Sequence, residues 1–99
     1  MCGIAGIVSA EPLAPVDARR VEAMRDVLTH RGPDDAGLYQ HAHAVLGHRR
    51  LSIVDLATGK QPLANEDGTI WISFNGEIYN HADVRRELEA AGHVYRTRS

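Results

Sequence analysis

The sequence predicts a mixed α+β fold, and three observations carry that expectation. Short apolar, strand-like runs at residues 2–9, 36–40, 44–50 and 69–74 are set apart from stretches at 16–29 and 81–91 in which apolar residues recur at steps of three and four. Gly, Pro, Asn or Asp clusters punctuate the changes of period. The composition, 43% hydrophobic and 24% charged over 99 residues, is that of an ordinary globular protein rather than of a disordered, collagenous or coiled-coil chain. A folded chain of this size hides roughly 65% of its unfolded surface, enough for one modest core.

In order along the chain, residues 2–9 hold Ile4, Ile7 and Val8, interrupted by Gly3 and Gly6. They read as a buried strand whose glycines admit a close neighbour or mark a bulge. Glu11-Pro12-Leu13-Ala14-Pro15 is a connector, because proline has no N–H to give a ladder. Over 16–29 the spacing of Val21, Met24, Val27 and Leu28 predicts an amphipathic helix, with Gly32 as its cap and Pro33 barring continuation. Two strands then flank an antiparallel turn at His41-Ala42-His43. Residues 55–68 are mostly loop, 69–74 is the clearest strand, and Asn75-Gly76 breaks it sharply. Asn80 is placed to cap a helix over 81–91, with Val84, Leu88 and Ala91 in line and Gly92 as stop. Residues 93–99 look extended, so the chain stops within a strand-like stretch and reads as a partial domain, 1–99.

Lys+Arg 11 against Asp+Glu 13 gives a net charge of −2, which offers no electrostatic footprint for nucleic acid or an anionic membrane. A single cysteine forms no internal disulfide and points to no oxidising compartment. No apolar run approaches the ~20 residues of a membrane helix, and the first positive charge, Arg19, lies on the wrong side of the apolar start for a secretion leader. The expectation is a cytoplasmic protein with neither nucleic-acid nor membrane partners.

The lone sulfur nucleophile is Cys2. A small second residue permits removal of the initiator methionine, which leaves thiol and α-amine on one residue. A free α-amino group titrates near ~7.7–8.0, so at neutral pH part of it is unprotonated and available as a base. It can take the thiol proton and later hand a proton to a leaving amine. On position alone Cys2 reads rather as a small buried hydrophobe. Asn75-Gly76, after a strong strand, can present a side-chain amide and a backbone N–H to an oxyanion, or be a plain hairpin turn. At the end of the strand over 44–50, Arg50 offers the planar two-point grip that suits a carboxylate, and Arg49 beside it is the competing candidate.

Four stretches sharpen this. Met1-Cys2-Gly3-Ile4-Ala5-Gly6, His30-Arg31-Gly32-Pro33-Asp34, Gly47-His48-Arg49-Arg50-Leu51-Ser52-Ile53-Val54-Asp55 and Phe74-Asn75-Gly76-Glu77-Ile78-Tyr79-Asn80-His81 follow one another in order across essentially the whole chain. Together they resemble the N-terminal, class II glutamine amidotransferase domain of the glutamine-hydrolysing asparagine synthetase family. The resemblance implies the four-layer αββα sandwich of the N-terminal-nucleophile hydrolases, here with only its first part. It implies Cys2 as the nucleophile that becomes a glutamyl thioester, and Asn75 and Gly76 as the oxyanion hole. L-glutamine would be bound by Arg50 at its α-carboxylate, by Glu77 near its α-amino group, and by a pocket of Leu51, Ser52, Ile53 and Val54 together with Asn75 and Gly76. Arg49 stands where the family commonly has another residue, often Glu, and the family's further acidic ligand would come just after Ser99.

The ammonia would serve a synthetase domain in the same chain, which requires ATP and Mg²⁺; residues 1–99 imply no cofactor of their own and no metal. A homodimer is a further expectation. The alternatives are a related amidotransferase serving another acceptor in natural-product or cell-surface biosynthesis, and a non-catalytic binding module. The isolated piece, with open sheet edges, is expected to show little activity. His41 and His43 read as exposed turn residues and His30 and His48 as structural partners near the site. Trp71 and Phe74 read as strand core, and Arg85-Arg86 as a solvated helix face.

Overall fold

The computed structural model describes residues 1–52 and 59–98. Strands β1 (Gly3–Val8), β2 (Asp35–His41) and β3 (Ala44–Arg50) form an antiparallel sheet in the order β1-β3-β2. Helix α1 (Pro15–Val27) joins β1 to β2; a two-stranded antiparallel sheet, β4 (Leu63–Ala64) with β5 (Trp71–Ile72), and helix α2 (His81–Ala90) follow. The α+β expectation holds, and β1, α1, β2, β3 and α2 lie within about two residues of their predicted bounds. Ala42 and His43 turn the β2–β3 hairpin, with His41 paired to Ala44, and both histidines there are exposed.

Asp17 starts α1 by accepting the Ala14 N–H at 2.9 Å, while Pro15 supplies the fixed φ of a first helical residue. The predicted apolar line is corrected: Met24 and Val27 are 44% and 74% exposed. The line that meets the sheet is instead Val21, Arg25 and Leu28, at helical spacing of four and three. Gly47 and Gly3 make room for it, since a Cβ at Gly47 would lie 3.2 Å from both Val21 and Arg25, and one at Gly3 2.8 Å from Leu28. The core is small: among the described residues Val21 and Val45 are its fully buried apolar members. Gly32 is not the helix cap, a place taken by Leu28. Its role is packing, as a Cβ there would fall 2.3 Å from the Arg49 carbonyl carbon.

Side chains alternate along a strand, so β3 turns Val45, Gly47 and Arg49 toward α1 and Leu46, His48 and Arg50 to the other face. Residues 59–76 lie across that second face. Trp71 stacks on Tyr39 with ring centroids 3.9 Å apart, and Ser73 Oγ donates to the Gly47 carbonyl at 3.2 Å. The Gln61 carbonyl sits so close over Gly37 that a Cβ on Gly37 would lie 1.8 Å from its oxygen. Gly37→Ala is therefore expected to lift this segment and cost ~1–3 kcal/mol or more, read as a lowered denaturation midpoint of the full-length protein. A midpoint equal to the parent's would mean that the segment yields freely.

The predicted strand over 69–74 shrinks to Trp71–Ile72. Upstream, Asn65 Oδ1 takes the N–H groups of Thr69 and Ile70 at 2.9 and 3.1 Å, a local turn that competes with a ladder. Downstream, the Phe74 N–H goes to the Gln61 side chain. Asn80 is the N-cap of α2 through its backbone carbonyl rather than its side chain, and Gly92, at φ 97°, ends it as expected. Residues 93–98 are not a strand. They are tied back by side chains: Arg85 donates to the Thr97 carbonyl at 3.0 Å and lies over the Tyr95 ring, so it is no solvated residue, whereas Arg86 is exposed and pairs with Asp83.

Candidate active site

A cavity of about 280 Å³ opens where β1 begins, β3 ends and the segment after β5 passes. Met1, Cys2, Arg50, Leu51, Gly59, Gln61, Phe74, Asn75, Gly76 and Glu77 line it. A second cavity of about 290 Å³ shares Gly59, Gln61, Phe74, Gly76 and Glu77 with the first and continues toward Leu63, Ile72, Ile78, His81, Thr97 and Arg98.

The sheet register brings the first of these residues together. Gly3 pairs with Arg49 in the antiparallel β1–β3 ladder, so one step further the ladder sets Cys2 alongside the end of β3. The Leu51 N–H donates to Cys2 Sγ at 3.4 Å, and Sγ approaches the Leu51 carbonyl at 3.9 Å. Arg31 Nε donates to the Cys2 carbonyl at 3.2 Å, which fixes the backbone beside the sulfur. Cys2 is half-buried, with Met1 attached and lining the same cavity.

Arg50 and Arg49 part company through strand alternation. Arg50, only 6% exposed, faces the cavity, and its carbonyl accepts the Asp34 N–H at 3.0 Å. Arg49 turns to the helix side, donating Nε–H to the Gly32 carbonyl at 3.0 Å and pairing with Asp26 at 3.5 Å. Just past β3, the Ser52 N–H donates to Asp34 Oδ2 at 2.8 Å. Ser52 is not among the cavity lining, and Ile53 and Val54 lie outside the described residues.

Asn75-Gly76 is not a hairpin turn. The favoured two-residue turn for Asn-Gly needs positive φ at both residues, whereas the positive-φ glycines are Gly68 and Gly92, and the chain goes on to α2 rather than to a return strand. Both residues line the cavity. The Phe74 ring, expected in the core, is 40% exposed and packs over Gly76.

Below this segment His48 is 1% exposed and donates Nε2–H to the Phe74 carbonyl at 3.2 Å. A carbonyl only accepts, so the His48 proton sits on Nε2. Burial pushes the His48 ring below the ordinary imidazole value of 6.5, and the Arg50 charge adds to this, against the Phe74 hydrogen bond and Asp35. The ring is accordingly a neutral donor at pH 7. Gln61, Phe74 and Arg31 are cavity or supporting residues to which sequence reasoning gave no role in the site. For Gln61 no local signal existed, since its contact with Phe74 spans 13 residues.

Among the described residues no group of three or more His, Cys, Asp or Glu is placed to hold a metal ion, and no helix is long and apolar enough to cross a membrane.

Comparison with known proteins bears on all of this. A family model for the glutamine amidotransferase domain matches residues 1–99. Asparagine synthetase [glutamine-hydrolyzing] 1 of Bacillus subtilis is 46% identical over 101 residues, covering 100% of this chain and 16% of the relative. The Lotus japonicus protein of the same name is 46% identical over 99 residues, with 100% and 17% covered. A probable asparagine synthetase [glutamine-hydrolyzing] of Dictyostelium discoideum is 45% identical over 100 residues, with 100% and 18% covered. The chain thus spans less than a fifth of the length of these curated relatives.

Proposed function

The chain belongs to the glutamine amidotransferase domain family, and from that premise we propose that it carries the glutamine-hydrolysing centre of an asparagine-forming enzyme, with Cys2 as the nucleophile. The observation that carries this reading is the single cavity shared by Cys2, Arg50, Asn75, Gly76 and Glu77. A sulfur, a cation, an anion, a side-chain amide and a flexible backbone N–H are the set that a zwitterionic carboxamide substrate calls for.

Removal of Met1 gives Cys2 a free α-amine. That amine takes the thiol proton as sulfur attacks the side-chain amide carbon of L-glutamine. The Asn75 side-chain amide and the Gly76 N–H hold the oxyanion that forms. The tetrahedral intermediate collapses as the C–N bond breaks, the amine returns the proton to the leaving nitrogen, and ammonia departs. Water then attacks the thioester, releasing glutamate and restoring the thiol. Arg50 binds the α-carboxylate and Glu77 the α-ammonium, while Leu51 stands in the pocket wall.

On this reading residues 1–99 are the first part of a four-layer αββα domain, and a synthetase domain follows in the same polypeptide. The names of the relatives favour aspartate as the ammonia acceptor. The ATP and Mg²⁺ of such a synthetase would belong to that following domain. The reaction is assigned to the cytoplasm.

The test is labelling of the full-length protein by a diazoketone analogue of glutamine. The expected product is a chain lacking Met1 that carries one adduct on Cys2, competed by glutamine. An intact Met1 with no adduct on a protein that still hydrolyses glutamine would overturn the reading.

A further inference from the structure

Strand β5 ends at Ile72, so the segment that presents Asn75 and Gly76 has left its ladder before it reaches the cavity. Three side-chain contacts take the place of that ladder. Ser73 Oγ donates to the Gly47 carbonyl at 3.2 Å. The Phe74 N–H donates to Gln61 Oε1 at 2.6 Å, and the Phe74 carbonyl accepts from His48 Nε2 at 3.2 Å. The two ends of Phe74 are thus held by side chains from different parts of the chain.

We propose that His48 and Gln61 are positioning residues for the oxyanion hole, holding the Phe74–Asn75 peptide so that the Asn75 amide and the Gly76 N–H converge on one point beside Cys2. The inference rests on the reading of Asn75 and Gly76 given above and deepens it. The Phe74 carbonyl belongs to the same peptide unit as the Asn75 N–H. A donor fixed on that carbonyl sets the plane of the unit, and with it the direction in which Asn75 leaves the chain. His48 suits this task because it stands in the middle of β3, paired with Ile4 on one side and Gly37 on the other, and is buried. Gln61 is anchored by the packing of its own carbonyl over Gly37. Oxyanion donors act only when aimed at the place where charge develops, and a ~1 Å misplacement costs on the order of 10²-fold in rate.

The experiment compares His48→Leu, His48→Gln, Gln61→Leu, Asn75→Ala, Cys2→Ala and the His48→Leu/Asn75→Ala double variant in the full-length protein, by steady-state glutamine hydrolysis. His48→Leu is expected to lower kcat on the order of 10²-fold with KM for glutamine little changed. His48→Gln, whose amide nitrogen reaches a similar position, is expected to recover at least about tenfold of that loss. The double variant is expected to be slower than Asn75→Ala by much less than the factor that His48→Leu costs alone, because one of the two donors that His48 positions is already absent. If His48→Leu fails to fold, Gln61→Leu carries the same comparison. A kcat within about threefold of the parent for folded His48→Leu and Gln61→Leu overturns the positioning role. So do losses that simply multiply in the double variant, and in either case an inactive Cys2→Ala leaves the reading of the site standing. Parental activity of Cys2→Ala would bring down the site reading, and this inference with it.

Discussion

Full-length protein carrying Cys2→Ala is expected to lose glutamine hydrolysis by at least ~10³-fold while still forming product from added ammonia. The change removes the one thiol of residues 1–99, the group that forms the acyl intermediate on the proposed chemistry. It leaves the rest of the fold little disturbed, because Cys2 lies outside β1 proper and is only half-buried. What is lost locally is the Leu51 N–H contact to sulfur. Glutamate release and ammonia-driven synthesis measured on one preparation check the prediction. If both fall together, cleavage and synthesis are not divided between domains as proposed.

Asn75→Ala is the second large effect. It takes one donor from the oxyanion hole and leaves the Gly76 N–H, the sulfur and Arg50 in place. Loss of such a donor in other enzymes lowers kcat by ~10²–10³-fold, or about 2.7–4 kcal/mol of transition-state stabilisation. The effect is expected in kcat with KM for glutamine nearly unchanged, because the hydrogen bond is strongest once the carbonyl oxygen has become an anion. Asn75→Asp should be no better, since a carboxylate only accepts and would face the developing charge with its own. A rise in KM at constant kcat would mean that Asn75 binds the ground-state amide and that the hole is built from other groups.

The parts of the fold visible in the sequence are those written in local pattern. The strand over 44–50, the helix over 16–29 and the Gly92 stop of α2 each depend on neighbours a few residues away, and each is found within about two residues of where it was expected. The run Thr69-Ile70-Trp71-Ile72-Ser73-Phe74 misled because strand character needs a partner. Asn65 captured one end of it and Gln61 the other. Met24 and Val27 misled for a related reason: the wheel marks which face is apolar, while the sheet beneath decides which residues are covered, and here Arg25 took a place in that contact line. The candidate site divides in the same way. Cys2, Arg50, Asn75, Gly76 and Glu77 were legible from their chemistry and their motifs and do line one cavity. The His48–Phe74 contact joins residues 26 apart and obeys no period, so only the folded chain reveals it.

Met1 lines the same cavity as Cys2 and ties up its nitrogen as a peptide. On the proposed chemistry the newly made polypeptide is a latent form, and the aminopeptidase that trims it is its activator. An affinity handle or reporter fused ahead of Cys2 would therefore silence the glutaminase however well the fusion folds. The same handle at the far end of the polypeptide, or one excised to expose Cys2 itself, would leave it working.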